Sequence, residues 1–156
     1  MYNPFLTEET FLVATKCCLL KDDTILIVGE NRPWKDIWWE LPGWKISKAD
    51  KILSPIESLS RELQEELGSD FWILYWNPRL FMVHKAYEDT TFSDKKVPFI
   101  FLCYLYELTD RDISLALSHE HKSFRWIQKN EISTIKGWRG WFDLIVLNAF
   151  LYASKN

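Results

Sequence analysis

Arg61-Glu62-Leu63-Gln64-Glu65-Glu66-Leu67-Gly68 is the stretch that decides how this sequence is read. At helical spacing Ile56, Leu59, Leu63 and Leu67 share one stripe. Glu66, Glu62 and Glu65 fan out beside it over an arc of roughly 100°, with Arg61 completing the ring beyond Glu65. Both ends of the helix are marked. Ser54 can cap it, Pro55 suits the first helical position, and Glu57 three residues after the cap completes a capping box. Gly68 follows where a left-handed C-terminal residue is wanted. Glu62 and Glu66 are four apart, and like charges at that spacing destabilise a bare helix by about 0.2–0.5 kcal/mol. A divalent cation would reverse that sign. Hard carboxylate oxygens suit Mg²⁺ or Mn²⁺, and a Mg²⁺ site that shares its ion with substrate phosphates needs few protein ligands. A solvated acidic face is the ordinary explanation of any Glu-rich helix. The full string Arg-Glu-aliphatic-x-Glu-Glu-x-Gly, however, arises by chance in a chain this long with a probability on the order of 10⁻⁴ or less.

Outward from the helix, the composition bounds the rest. The chain has 156 residues, 47% hydrophobic and 26% charged, which is the balance of an ordinary globular protein and predicts a single domain over 1–156. Nineteen basic against 22 acidic side chains leave a formal charge of -3, so there is no basic field to attract duplex nucleic acid. Cys17, Cys18 and Cys103 are odd in number and lie in apolar runs, as expected of a reducing cytoplasm. No run reaches 18 apolar residues and Met1-Tyr2-Asn3-Pro4 lacks the start of a signal peptide, so neither membrane insertion nor secretion is expected.

Residues 11–20 and 24–28 are β-rich and separated by Lys21-Asp22-Asp23, which predicts a hairpin. Residues 37–41 form a short strand stopped by Pro42-Gly43, and 44–51 an extended loop. Strands are expected over 71–76, 80–87, 97–108 and 124–127, with Asn77-Pro78 and the polar 88–96 as breaks. An amphipathic C-terminal helix is expected from Trp138 or Trp141 to about Ala153. Strands mostly consecutive with helices inserted argue for α+β rather than a parallel βαβ sheet.

Leu41-Pro42-Gly43, a loop, a capped helix and the Arg61–Gly68 string together resemble the signature box of the Nudix hydrolases. The resemblance is close over 38–68, and the strand order agrees over nearly the whole chain. It implies an α/β/α sandwich around a mixed sheet. The implied activity is hydrolysis of a pyrophosphate bond in a nucleoside diphosphate linked to another group, with Mg²⁺ or Mn²⁺. By that likeness Glu62, Glu65 and Glu66 fall on metal-binding positions, and Arg61 on the one that orients the carboxylates. The ion would neutralise phosphate charge and lower the pKa of a bound water. Two departures stand out. Trp44 replaces the second glycine of the box, and the loop before the helix is about three residues longer, leaving Leu53 where a glutamate usually precedes the cap. Asp50 or Glu57 are the candidates to compensate.

Ser118-His119-Glu120-His121 precedes the strand at 124–127, where many Nudix enzymes carry a glutamate or histidine facing the metal. Glu120 is the expected extra ligand or general base, with His121 and His119 behind it, and Glu62 is the competing base. Two histidines beside a glutamate without a nearby cysteine do not make a zinc pattern. His84, in an apolar strand, is expected to be structural. Arg32 and Lys35 are candidate phosphate holders, and Trp34, Trp38 and Tyr87 candidate stacking residues. Asn31-Arg32-Pro33, the tryptophans and the Glu-His pair also resemble the branch acting on nucleotide sugars such as GDP-mannose. That branch usually carries a degraded helix motif, whereas this one is intact. The partner implied is a small-molecule nucleotide; a homodimer is compatible with the sequence. A catalytically impaired relative that binds nucleotide without cleaving it is the alternative reading.

Overall fold

In the computed structural model the described residues are 11–30, 37–50, 52–71, 77–86, 91–92, 95–96, 98–108, 114–137 and 140–155. The chain opens with strands β1 (Leu12–Lys21) and β2 (Thr24–Glu30). Asp22 and Asp23 turn between them with φ of 45° and 60°. Left-handed backbone at both central residues matches the twist of the flanking strands, and aspartate tolerates it better than most side chains. The hairpin pairs Leu20 with Ile25 and Lys21 with Thr24.

β3 (Trp38–Glu40) then pairs with the far end of β2, from Val28↔Glu40 to Glu30↔Trp38. Helix α1 (Pro55–Leu67) follows, and after it β4 (Arg79–Ala86), β5 (Thr91–Phe92), β6 (Lys95–Lys96), β7 (Phe99–Glu107), β8 (His121–Gln128) and helix α2 (Gly140–Ala153). Among the described residues six strands make one mixed sheet in the order β3-β2-β1-β7-β4, with β8 also on β2. β1 runs parallel to β7 from Leu12↔Phe99 to Leu20↔Glu107, while the other pairs are antiparallel. β8 takes one whole edge of β2, so β1 and β3 must share the other, and the two splay apart beyond the hairpin.

One helix covers each face. Leu59, Leu63 and Leu67 of α1 pack with Cys17, Leu19, Leu26, Val28 and Tyr104. Phe142, Ile145, Val146 and Ala149 of α2 pack with Ala14, Cys18, Ile25, Ile27 and Ile127. Each of the three α1 leucines is fully buried, a contribution of about 1.5–3 kcal/mol apiece in water-to-core transfer. This is the three-layer α/β/α arrangement around a mixed sheet that the sequence resemblance implies.

Several expectations need correction. β8 begins at His121 rather than 124, because its pairing with β2 extends to Glu30↔His121. α2 is not amphipathic: Leu144 and Leu151 are exposed on the side away from the sheet, so its apolar surface runs around the helix. Gly68 closes α1 with φ 113° and ψ 164°, an extended conformation open to glycine rather than a left-handed helical one. Within the polar break at 88–96, β5 and β6 pair as a short hairpin. The strand expected over 71–76 lies outside the described residues beyond Phe71. No helix among the described residues is long and apolar enough to cross a membrane.

Candidate active site

The gap where β1 and β2 splay is filled by the turn after β3. Cys17 N–H donates to the Pro42 carbonyl at 2.9 Å, Thr15 N–H to Trp44 at 3.0 Å, and Ile46 N–H to Val13 at 2.8 Å. These bonds dock residues 42–46 along β1. Gly43 has φ +107°, and a Cβ there would come within 2.5 Å of the Thr15 carbonyl oxygen, so the close approach requires glycine. Its N–H donates to Glu66 Oε2 at 2.8 Å, tying the turn to α1. From beneath, Lys16 Nζ donates to Glu40 Oε2 and the Leu41 carbonyl, both at 2.9 Å, and to the Gly43 carbonyl.

The segment before β8 is pinned to the end of the same helix. Ala116 N–H donates to the Leu67 carbonyl at 2.8 Å, and Ser118 N–H to that of Glu66 at 3.0 Å. The tertiary result is a cavity of about 470 Å³ lined by Glu30, Glu40, Trp44, Glu66, His119, Glu120 and His121. Trp44, standing where the family usually has its second glycine, is 47% exposed at this cavity.

Burial dominates the electrostatics here. Glu66 is pushed up to about 7 by loss of water around its carboxylate, with Lys16 pulling the other way and Glu40 reinforcing the rise. Burial would raise Glu40 too, but the Lys16 ammonium beside it wins and brings it down to about 2. His121 is disfavoured as a cation by burial, yet the carboxylates of Glu40 and Glu66 raise it above the usual histidine value. Its Nε2 lies 3.9 Å from Glu40 Oε1, an ion-pair separation longer than a hydrogen bond, and its buried Nδ1 has no partner.

Arg61 organises a second cluster along α1. It donates to Asp50 Oδ1 at 3.1 Å, to Glu65 Oε2 at 2.8 Å and to Glu62 Oε1 at 2.6 Å. Asp50 is buried and also accepts from the N–H and hydroxyl of Ser47, each at 2.7 Å; these bonds and Arg61 overcome burial to hold its carboxyl below the ordinary range. Leu53 stands at the box glutamate's spacing from the helix, but the carboxylate that meets Arg61 is Asp50, six residues after Trp44. The three extra residues, 51–53, therefore fall between that carboxylate and the cap. Glu57 is occupied with the cap itself, accepting from Ser54 N–H at 2.7 Å.

Of the sequence candidates, Glu66, Glu120, His119 and His121 come together on the cavity. Glu62 and Glu65 face Arg61 instead; burial raises Glu62, with Arg61 opposing, and Glu65 is exposed. Arg32, Trp34, Lys35 and Tyr87 lie outside the described residues. Trp38 is half-buried in β3. His84 stacks on Trp141 with ring centroids 6.1 Å apart, in keeping with a structural role. Lys16, Glu40 and Glu30 were missed by sequence reasoning. A cation amid the apolar run of β1 and a glutamate directly before Leu-Pro-Gly were the available signals.

Among the described residues no three His, Cys, Asp or Glu side chains already converge as a metal-binding group. The donor chemistry nonetheless fits a hard divalent ion. Four carboxylates line one cavity, and Glu66 is a buried carboxylate whose charge is undercompensated. The thiols do not compete as soft ligands: Cys17 and Cys18 are fully buried, and burial pushes Cys103 up to about 12.

The pattern that defines the NUDIX domain matches residues 10–146. The chain belongs to the Nudix family. Nudix hydrolases split pyrophosphate linkages and generally use divalent metal ions. Similar solved folds include a MutT protein from Methanosarcina mazei, 17% identical over 96% of this chain and 99% of that one, with a TM-score of 0.67. An Ap4A hydrolase from C. elegans is 14% identical over 93% and 99%, with a TM-score of 0.67. The NUDIX domain of Shewanella oneidensis NrtR, solved with ADP ribose, is 16% identical over 99% and 94%, with a TM-score of 0.66. At these identities the likeness is one of fold. No curated protein matches the sequence.

Proposed function

We propose that this Nudix protein is a metal-dependent hydrolase that cleaves the pyrophosphate bond of a nucleoside diphosphate linked to another group. The observation that carries this reading is the convergence of Glu66 from α1 with Glu120 and His121 from the β8 segment on one cavity, beside Glu30 and Glu40. Glu66 and Glu120 would hold Mg²⁺ or Mn²⁺, with Glu62 and Glu65 completing the set. A bound ion supplies charge neutralisation for the phosphates and a more acidic water. Glu120, exposed on the cavity wall, takes the proton as general base, and Glu62 is the alternative. Arg61 holds Glu62 and Glu65 in place. His121, raised toward its cationic form by Glu40 and Glu66, faces the phosphate, with Arg32 and Lys35 as further phosphate contacts and Trp34 against the base. Three free, buried thiols suit a reducing cytoplasm.

Nucleotide binding without turnover is the second reading, favoured by the hold of Arg61 on both Glu62 and Glu65 and by the indole of Trp44 at the cavity. Its relative in fold, the NrtR domain, was solved with ADP ribose bound. The test is a panel of ADP-ribose, dinucleoside polyphosphates, nucleotide sugars and nucleoside triphosphates, each with Mg²⁺ and with Mn²⁺. Release of phosphate, pyrophosphate or nucleoside monophosphate from any of them is the expected result. Binding of these compounds with no product from any would replace hydrolysis by the binding reading.

A further inference from the structure

β1 carries a lysine, Lys16, in the midst of its apolar run. The Lys16 side chain is 3% exposed, and a buried ammonium persists only when it is paired and fully hydrogen-bonded. Lys16 meets both conditions. Its acceptors are Glu40 Oε2, the Leu41 carbonyl and the Gly43 carbonyl, one for each N–H it can donate. The rings of Trp44 and Phe142 lie 5.5 and 5.8 Å from Nζ and close the site around it. Gly43 is the joint between this lysine and α1, since its carbonyl accepts from Lys16 while its N–H donates to Glu66 Oε2. Two carbonyls and a carboxylate around one cation, beside a second carboxylate, form the hard-oxygen environment that a metal ion would also favour.

We propose that Lys16 is a tethered counter-cation of the cavity, which in the metal-free protein does for Glu40, Glu66 and the Leu41–Gly43 turn what a divalent ion would do. This rests on the metal-dependent reading of the same cavity. Lys16 is thus a positioning residue: it touches neither substrate nor reacting atoms, and acts through the turn and the two glutamates. The cost of a fixed positive charge is weaker uptake of a mobile one. Removing it leaves carboxylates undercompensated, so the protein should become less stable alone and take up the ion more tightly.

The experiment compares the unaltered chain with Lys16→Met and Lys16→Arg, measuring Mn²⁺ affinity by calorimetry and melting temperature with and without Mn²⁺. Lys16→Met is expected to melt lower without metal, to bind Mn²⁺ about tenfold tighter, and to gain more melting temperature from it. Lys16→Arg, which keeps the charge, should bind Mn²⁺ like the unaltered chain. A merely structural lysine would lower the melting temperature and leave the affinity unchanged. Equal or weaker Mn²⁺ binding by Lys16→Met overturns the proposal while leaving the metal reading intact. No Mn²⁺ uptake by any of the three overturns both. Should Lys16→Met not fold, Lys16→Gln keeps N–H donors for the carbonyls and carries the same comparison. Folding of either variant only with Mn²⁺ supports the counter-cation, and failure of both at every Mn²⁺ concentration overturns it.

Discussion

Arg61, 35% exposed, meets the buried Asp50 and Glu62 at 1% and 14% exposure and the open Glu65 at 58%. Lys16 meets Glu40 under the cavity, where the two side chains are 3% and 13% exposed. Both clusters pair a cation with carboxylate, yet at Glu65 and Glu40 water separates the consequences. Exposed pairs are screened and contribute about 0–1 kcal/mol, so Glu65 can leave Arg61 at little cost. A buried pair cannot lose one member cheaply, because the other is left as an unpaired charge. Glu65 is thus free to turn from Arg61 toward an ion, whereas Glu40 is suited to holding a turn.

The comparison breaks most visibly at Glu40. Glu40→Leu leaves the Lys16 ammonium buried without its carboxylate, and chemical denaturation should show a loss of about 3–5 kcal/mol. Because Glu40 is held at about 2 against an ordinary carboxylate value, its contribution is present above pH 4.5 and disappears as pH falls toward 2. A loss below 1 kcal/mol would put this pair in the same class as Arg61 and Glu65.

Glu66→Gln is next. Hydrolysis should drop by about 100-fold or more if the proposed ligand and its charge are removed. Stability should move the other way. Glu66 is pushed up to about 7, so between pH 4.5 and 7 the folded chain keeps a proton that the unfolded chain has released. Stability of the metal-free protein therefore falls as pH rises through that window, by about 3 kcal/mol at most. Glu66→Gln lacks this slope, and should be the more stable protein at pH 8 with the difference closing below pH 5. Parallel stability curves for the two proteins would contradict the burial argument.

At the Arg61 cluster the effects shrink. Asp50→Asn removes a buried carboxylate that braces Arg61 and accepts from Ser47; it should lower kcat about tenfold and cost about 1–3 kcal/mol of unfolding free energy. An unchanged kcat would mean that Arg61 needs no carboxylate from the lengthened loop. Smallest is Ser54→Ala, which removes the cap at the start of α1 and should cost about 1 kcal/mol of stability with unchanged kinetics.

The Arg61 cluster was legible in the sequence because it is local. Arg61, Glu62 and Glu65 lie within five residues on one helix, and helical periodicity alone brings them together. The capping box at Ser54 and Glu57, the Lys21-Asp22-Asp23 turn and the short strand before Pro42-Gly43 were read from the same short-range chemistry. Asp50 was named as a candidate, but only the fold chose it over Glu57, since Ser54 claims the latter. The start of β8 was misplaced because His121, Lys122 and Ser123 have weak strand propensity, and their conformation comes from pairing with β2. Apolar recurrence predicts an amphipathic α2, but Leu144 and Leu151 stand exposed, so spacing on one side does not determine the other.

What the sequence determined by itself was everything written in spacings of a few residues: the capped acidic helix, the glycine after Pro42, the hairpin, and through them membership of the family. Tertiary structure alone decided that Lys16, 24 residues before Glu40 and 27 before Gly43, lies under both, and that Glu120 and His121 return to Glu66. The physical reason is that local propensity acts through neighbouring peptide groups. The state of a buried charge depends instead on which distant carboxylates and carbonyls replace its lost water, and only the closed fold supplies them.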